Sequence, residues 1–427
     1  MTNVFTAHLL KQHDVVQHFK FDLKKKSLIA PNPQYRDALT ALVRPRLKIA
    51  IITETWPPEL NGVAHSLLHF SRGLQQRGHK ILLIRPEQKK AESTFHPEQE
   101  CFVKVQAVPR YAQLQWGWPQ LHKVSQALSR FAPDVVHIVT EGPLGLAALQ
   151  AAKQLGIPVS SGFHSSFQDM SRFFDLAFLL KPVQRYLRWF HNQTDLTCVP
   201  SADTEHALRQ FGVTCPLVVV GRGVAVDSFH PQYRSMQLRR QWGVTPDTRV
   251  LLSVGRLSPE KEIPVLIHSY HAMLEQGQDV KLVIVGDGPE REHLIQLNKK
   301  GNIIFTGNLS GIELATAYAS ADVFVFASQV ETFGNVVLEA MASGLPVIAY
   351  DHAAAHLYVQ HGDLGWLSPR GDQERWKQHL LQLPENKKLN YMGLQARQAV
   401  LHLGWDYPVG QLEQALYAVA RESHMYR

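Results

Sequence analysis

Between residues 323 and 351 an apolar run, Val323-Phe-Val-Phe-Ala327, leads through a polar loop into a helix-forming segment and then a second apolar run, Val347-Ile-Ala-Tyr350. Short apolar runs of this kind read as strands buried on both faces of a parallel sheet, and a helix between them completes a βαβ unit. This restricts the chain to an α/β fold. Glu331 falls just outside the helix and Glu339 on it, with seven residues intervening. Gly334 lies between them, where a backbone must approach something closely. The amides of Phe333, Gly334, Asn335 and Val336 then point out of a helix N-terminus, where unpaired N–H groups and the helix dipole favour a phosphate. A carboxylate would not sit there to bind phosphate, so Glu331 and Glu339 suit neutral hydroxyls such as those of a sugar and a ribose. For the pair taken alone, the plainer alternative is two helix-start glutamates stabilised by the dipole.

The same alternation runs through most of the chain. A buried strand at 47–53 leads through the loop Glu54-Thr-Trp-Pro-Pro-Glu-Leu-Asn-Gly-Val63 into a helix opened by Gly62, and a strand at 80–84 follows. Strands at 134–140 and 157–162 deliver Glu141 and Phe163-His164-Ser165-Ser166 to one sheet edge, with His137 near the same end. Ligands of open α/β sheets gather beyond the carboxyl ends of strands, which makes His137 and Glu141 acceptor-side candidates. The second half repeats the pattern, and Gly255-Arg256 and Lys261 follow its strand at 250–254. Arg256 can fork onto phosphate oxygens while Lys261 supplies a compact positive charge, together offsetting a leaving group's charge.

The stretch Glu331-Thr-Phe-Gly, the helix Glu339-Ala-Met-Ala-Ser-Gly-Leu-Pro and the strand Val-Ile-Ala-Tyr-Asp351 closely resemble the Glu-x7-Glu signature of the retaining glycosyltransferases of family 4. Gly255-Arg256 with Lys261 resembles that family's Gly-Arg-x4-Lys segment, and Phe163-His164-Ser165 its Phe-His-Thr segment. The resemblance covers roughly residues 46 to 420 and implies the GT-B fold: two Rossmann-like domains whose parallel sheets face each other across a cleft. It implies an N-terminal extension at 1–45, an acceptor domain at 46–215, a nucleotide-sugar domain at 216–402 and, at 403–427, a helix crossing back to the first domain.

By the same resemblance, Glu331 contacts the transferred hexose, Glu339 the ribose, and the amides of Phe333 to Val336 the diphosphate. Arg256 and Lys261 hold the phosphates, His164 meets the donor sugar and acceptor, and Gly62 and Gly255 let backbone approach the donor. Asn61 replaces the first glycine of the family's pair, and Arg222 and Ala225 depart from its Asn-Gly-Val-Asp connection. The implied reaction moves mannose or glucose from a nucleotide diphosphate sugar, GDP-mannose or UDP-glucose, to a lipid or glycan acceptor with retention. The departing phosphate takes the acceptor proton. No metal or other cofactor is expected, because no Asp-x-Asp motif accompanies the phosphate loops and cationic side chains replace Mg²⁺. The competing readings are a GT-B nucleotide-sugar epimerase, which needs no acceptor, a phosphorylase, whose chain is much longer, and a non-catalytic nucleotide-sugar binding protein.

Composition narrows the partners. With 44 basic and 37 acidic residues in 427, the net charge of +7 suits an anionic ligand or membrane surface. No zinc pattern, ribonucleoprotein motif or basic helix of nucleic-acid type is present, so no nucleic-acid partner is expected. Three widely spaced cysteines, no signal-peptide pattern and no run of about 18 apolar residues point to the cytosol, with peripheral attachment to the cytoplasmic membrane face left open. The segment 179–191 predicts a basic amphipathic helix with Lys181, Arg185 and Arg188 on one stripe. That stripe is a solvated face or a contact for anionic lipid, with Phe173 and Phe174 before it.

Overall fold

The computed structural model describes residues 45–57, 59, 62–88, 95–108, 111–164, 180–298 and 302–425. Expectations for the segment 1–44 and for Asn61, Ser165, Ser166, Phe173 and Phe174 lie outside the described residues.

The strands in chain order are β1 (Lys48–Ile52), β2 (Lys80–Pro86), β3 (Gln99–Val103), β4 (Val105–Val108), β5 (Tyr111–Gly117), β6 (Val135–Ile138), β7 (Val159–Gly162), β8 (Leu196–Val199), β9 (Leu217–Val219), β10 (Arg249–Val254), β11 (Val280–Val285), β12 (Ile304–Gly307), β13 (Val323–Phe326), β14 (Val347–Tyr350) and β15 (Gly365–Ser368). A seven-stranded sheet has the order β3-β2-β1-β6-β7-β8-β9, a six-stranded sheet the order β12-β11-β10-β13-β14-β15, and β4 and β5 form an antiparallel pair. Both large sheets are parallel throughout.

Period-two geometry explains why these strands carry unbroken apolar runs. Ile49 and Ile51 of β1 face one core with Leu67 and Leu74, while Ala50 and Ile52 face another with Val136, Leu128 and Ala148. Val250 and Leu252 of β10 divide from Leu251 in the same way. Every face is covered by helices.

The helix Asp406–Met425 lies on the first sheet, placing Val409, Leu412 and Leu416 in the core of Ile49 and Ile51. Arg77 donates to Asp406 at 2.6 Å and to Glu413 at 2.9 Å, and His79 Nε2 stands 2.9 Å from Glu413 Oε1. Helix-to-helix contact is close at Gly73, where an added Cβ would meet Val409 at 2.5 Å.

Each sheet reverses its winding direction once. The chain moves outward from β1 to β3 and returns to β6 on the other side of β1, and it moves from β10 to β12 and returns to β13 beside β10. At such switch points the loops diverge and leave a crevice beyond the strand ends. The loops after β1 and β6 carry Glu54 and Glu141, and those after β10 and β13 carry Arg256, Lys261 and Glu331.

Two expectations are corrected. A second domain beginning at residue 216 does not fit, because Leu217, Val218 and Val219 pair with Thr197, Cys198 and Val199 as the edge of the first sheet. The sequence reading also omits β3, β4, β5 and β15. β3 reads Gln-Glu-Cys-Phe-Val and buries only its last residue, so it has no apolar continuity to detect.

Candidate functional site

The second-sheet edge is built by two loops locked together. Gly334 takes φ +86° and ψ 56° immediately before the helix Asn335–Ala342, a left-handed conformation that other residues adopt at a cost. The turn lays the Glu331 side chain against Gly334, where an added Cβ would stand 3.6 Å from Glu331 Cγ. Phe333 anchors the turn in the core, its ring centroid 6.3 Å from that of Tyr358. Glu331 Oε1 accepts from Lys261 Nζ, which also lies 3.3 Å from Ser328 Oγ and 5.7 Å from the Phe326 ring. Arg256 is exposed on the rim of the cavity that Gly255, Lys261 and Phe326 also line.

Glu262 holds the lysine loop in place. It sits at φ +46°, and its carboxylate accepts from Gln329 at 2.7 Å, Tyr350 at 3.0 Å and Gln373 at 3.0 Å. Gln329 N also donates to Glu260 O at 2.9 Å. The neighbouring loop after β11 approaches by its backbone, since a Cβ at Gly286 would meet Gly255 O at 1.9 Å.

Glu339 is 9% exposed on its helix, and Tyr318 donates to its Oε2 at 3.0 Å. Burial raises the carboxyl to about 7, against the lowering effect of the tyrosine bond. It therefore exchanges its proton near neutrality.

The first-sheet edge is assembled from residues far apart in sequence. His164 follows β7, and Arg222 Nη2 donates to its Nδ1 at 2.9 Å. Arg222 is 7% exposed, with Nη1 on the carbonyls of Val220 and Gly221, both at 3.0 Å, and its guanidinium 5.5 Å from the Phe70 ring centre. Burial lowers Arg222 to about 10. His137 lies within β6, 4% exposed, with Nδ1 2.9 Å from Ser160 Oγ, and burial lowers it to about 4, Arg222 adding to the effect. A cavity at this edge is lined by Ser66, Phe70, His137, Gly162, His164 and Arg222.

Glu141 is 7% exposed, with Oε1 3.3 Å from His191 Nε2. Beside it, Glu54 accepts from Leu144 N at 2.7 Å at the start of the helix Pro143–Gln154. Burial raises Glu54 to about 7, opposed by the Leu144 bond and reinforced by Glu141.

Hydrogen bonds join the edges. Thr332 Oγ1 donates to His164 O at 2.8 Å, and Asn335 Nδ2 to Ser66 Oγ at 3.0 Å. Ser66 in turn donates to Gly62 O at 2.7 Å, and Gly62 opens the helix Gly62–Gln76. The structure thus brings His164, Gly62, Glu331, Lys261 and the Gly334 turn to one cleft. Lys181, Arg185 and Arg188 are exposed on the helix Leu180–His191, whose Leu187 and Phe190 are buried. Among the described residues no cluster of three or more His, Cys, Asp or Glu side chains is disposed to hold a metal ion.

The family description "Glycosyl transferases group 1" matches residues 235–399, and "Glycosyltransferase Family 4" matches residues 60–228. The GDP-mannose-dependent alpha-mannosyltransferase of Mycobacterium tuberculosis is 34% identical over 365 residues, 84% of this chain and 93% of that protein. The chain belongs to glycosyltransferase family 4. Another relative, the alpha-monoglucosyldiacylglycerol synthase of Streptococcus pneumoniae, is 29% identical over 71% of each chain. The sucrose-phosphate synthase of Thermosynechococcus elongatus superposes with a TM-score of 0.72 at 21% identity, covering 87% of this chain and all of that one, which establishes the GT-B fold.

In this family 4 glycosyltransferase, the groups that hold Lys261, Glu331 and His164 in place were not legible in the sequence. Thr332 stands inside the Glu331-Thr-Phe-Gly stretch without a role read for it, Ser66 and Glu262 carry no motif of their own, and the three make bonds spanning 168, 269 and 88 positions. Arg222 gave a signal, as a departure from the family's connection, without showing that its partner is His164.

Proposed function

We propose that this enzyme transfers mannose from GDP-mannose to a lipid acceptor with retention at the anomeric carbon. The observation that carries the reading is the placing of Lys261 on Glu331, under the Gly334 turn, with His164 bonded across the cleft through Thr332. Cation, carboxylate and helix-start amides then occupy one crevice, where the first holds phosphate, the second sugar hydroxyls and the third the diphosphate. The bond from the anomeric carbon to the phosphate oxygen breaks as the acceptor oxygen attacks from the same face. The departing phosphate takes the acceptor's proton, and Arg256 and Lys261 offset its charge. These cations do the work that Mg²⁺ does elsewhere, so activity survives chelation. Glu339 receives the ribose hydroxyls.

The mannosyltransferase relative supports the donor, and the diacylglycerol synthase relative supports a lipid acceptor. The exposed face of Lys181, Arg185 and Arg188, with Trp189 45% exposed beside it, suits an anionic cytoplasmic membrane surface. No helix among the described residues is long and apolar enough to cross a membrane.

A thermal-shift panel of GDP-mannose, UDP-glucose, GDP and UDP tests the donor, because a ligand of the native state raises its melting temperature. A shift confined to the guanine nucleotides supports the reading, and a uracil-only shift replaces the donor. Incubation with GDP-mannose and diacylglycerol-type lipids, followed by NMR of the product's anomeric centre, tests acceptor and retention. Vesicle binding that survives charge reversal at Arg185 and Arg188 removes the membrane contact.

A further inference from the structure

We propose that Arg222 is a positioning residue that locks His164 in the tautomer carrying its proton on Nε2, making the imidazole a fixed hydrogen-bond donor in the cleft. A guanidinium has only N–H donors, so the 2.9 Å contact from Arg222 Nη2 makes His164 Nδ1 the acceptor. A neutral imidazole that accepts at Nδ1 bears its hydrogen at Nε2.

Arg222 is rigidly placed to impose this. Its other nitrogen is tied to the carbonyls of Val220 and Gly221, and Gly221 N donates to Gln411 Oε1 at 3.0 Å. Gly223 packs so closely that an added Cβ would meet Trp405 Cα at 2.8 Å. Among the described residues the guanidinium bonds two carbonyls and one imidazole, and no carboxylate draws it away from the histidine.

The second constraint is Gly162. A Cβ there would stand 2.6 Å from His164 Nε2, so the ring's free nitrogen lies over the glycine, in the cavity that both residues line. The groups facing His164 all oppose its protonation: burial, then Arg222 from the connection after β9, His137 from β6 and His191 from the helix Leu180–His191 hold it well below the ordinary imidazole value.

His164 therefore neither takes nor releases a proton. Resting on the transferase reading, its Nε2–H donates to an oxygen of the transferred sugar or acceptor, and the acceptor's proton leaves by way of the phosphate.

The test reads the tautomer directly, by imidazole nitrogen NMR of the full chain with isotope-labelled histidine, His164→Asn assigning the resonance. The expected spectrum shows an unprotonated Nδ1 and a protonated Nε2, unchanged from about pH 6 to about pH 8. A proton on Nδ1, or a titration in that window, overturns the proposal. Neither measurement needs substrate, so it stands or falls apart from the transferase assignment. In Arg222→Met the tautomers mix and kcat falls about tenfold with donor KM unchanged, while Arg222→Lys, also donor-only, restores part of both. A folded Arg222→Met that keeps the wild-type tautomer and kcat overturns it equally. Should that variant fail to fold, the wild-type spectrum still decides.

Discussion

At the second-sheet edge a lysine and a glutamate from neighbouring loops neutralise each other, while at the first-sheet edge the buried Arg222 helps hold His137 and His164 below the ordinary imidazole value. The first arrangement sets a cation and a carboxylate side by side in one crevice. The second sets imidazoles beside a buried guanidinium that opposes their protonation. Each edge also contains one carboxyl raised to about 7, Glu339 on one and Glu54 on the other, but with different partners. Glu339 receives a tyrosine hydroxyl, whereas Glu54 receives a backbone N–H beside a second carboxylate.

The sharpest way to break this contrast is Lys261→Ala. If the lysine holds the leaving phosphate, turnover with the sugar nucleotide falls about a hundredfold, and Glu331→Ala lowers it at least about tenfold. Wild-type kcat in both variants would return Lys261 and Glu331 to the role of a structural ion pair.

The Gly334 turn should matter nearly as much to the fold as to the ligand. Gly334→Ala places a Cβ at φ +86° and is expected to cost roughly 1–2 kcal/mol in urea unfolding. An unchanged midpoint would mean that the turn relaxes freely.

Glu339 gives a finer test through pH. Ribose hydroxyls donate to the ionised carboxyl, so donor affinity should rise as pH rises through about 7, the value burial imposes. Glu339→Gln should weaken donor binding about tenfold and flatten the profile. A pH-dependent dissociation constant in the Gln variant would assign the titration to another group.

Glu54 should respond in stability instead. Its folded-state value is raised from 4.5 to about 7, so the folded protein holds the proton more tightly and stability falls as pH rises through that window. Glu54→Gln keeps the acceptor for Leu144 N and should gain about 1 kcal/mol near pH 8, with the gain vanishing below about pH 4. A gain of equal size at both ends would trace the effect to packing.

The contrast between the edges also explains what could be read beforehand. Arg256, Lys261, Glu331 and Glu339 lie in two loops and a helix start whose spacing is fixed by local backbone, so the residues announce themselves together. Glu54, His137, His164, His191 and Arg222 come from five separate segments and meet only because β1, β6, β7, β8 and β9 stand side by side. His164 shows itself through its Phe-His-Ser segment and His137 through its place near a strand end, but Glu54 and His191 carry no such signal and nothing in the sequence pairs Arg222 with His164. The buried strands were legible from apolar continuity, whereas β3 and β15 lie at sheet edges and read Gln-Glu-Cys-Phe-Val and Gly-Trp-Leu-Ser, partly buried and without such a run. The boundary near residue 216 was misplaced because β9 is only three residues long, and its membership is decided by pairing with β8.

The docking of Asp406–Met425 on the first sheet has a consequence for how the protein is made. Domains fold largely as units while the chain emerges from the ribosome, N-terminal parts first. Here the first domain to be synthesised is the last to be finished, since Val409, Leu412 and Leu416 complete the core around Ile49 and Ile51. The second sheet has all its strands as soon as β15 has been translated. A nascent chain stalled before residue 406 would therefore carry a folded second half and a first sheet with one apolar face covered only in part, by the helix Gly62–Gln76, the form on which a chaperone would act.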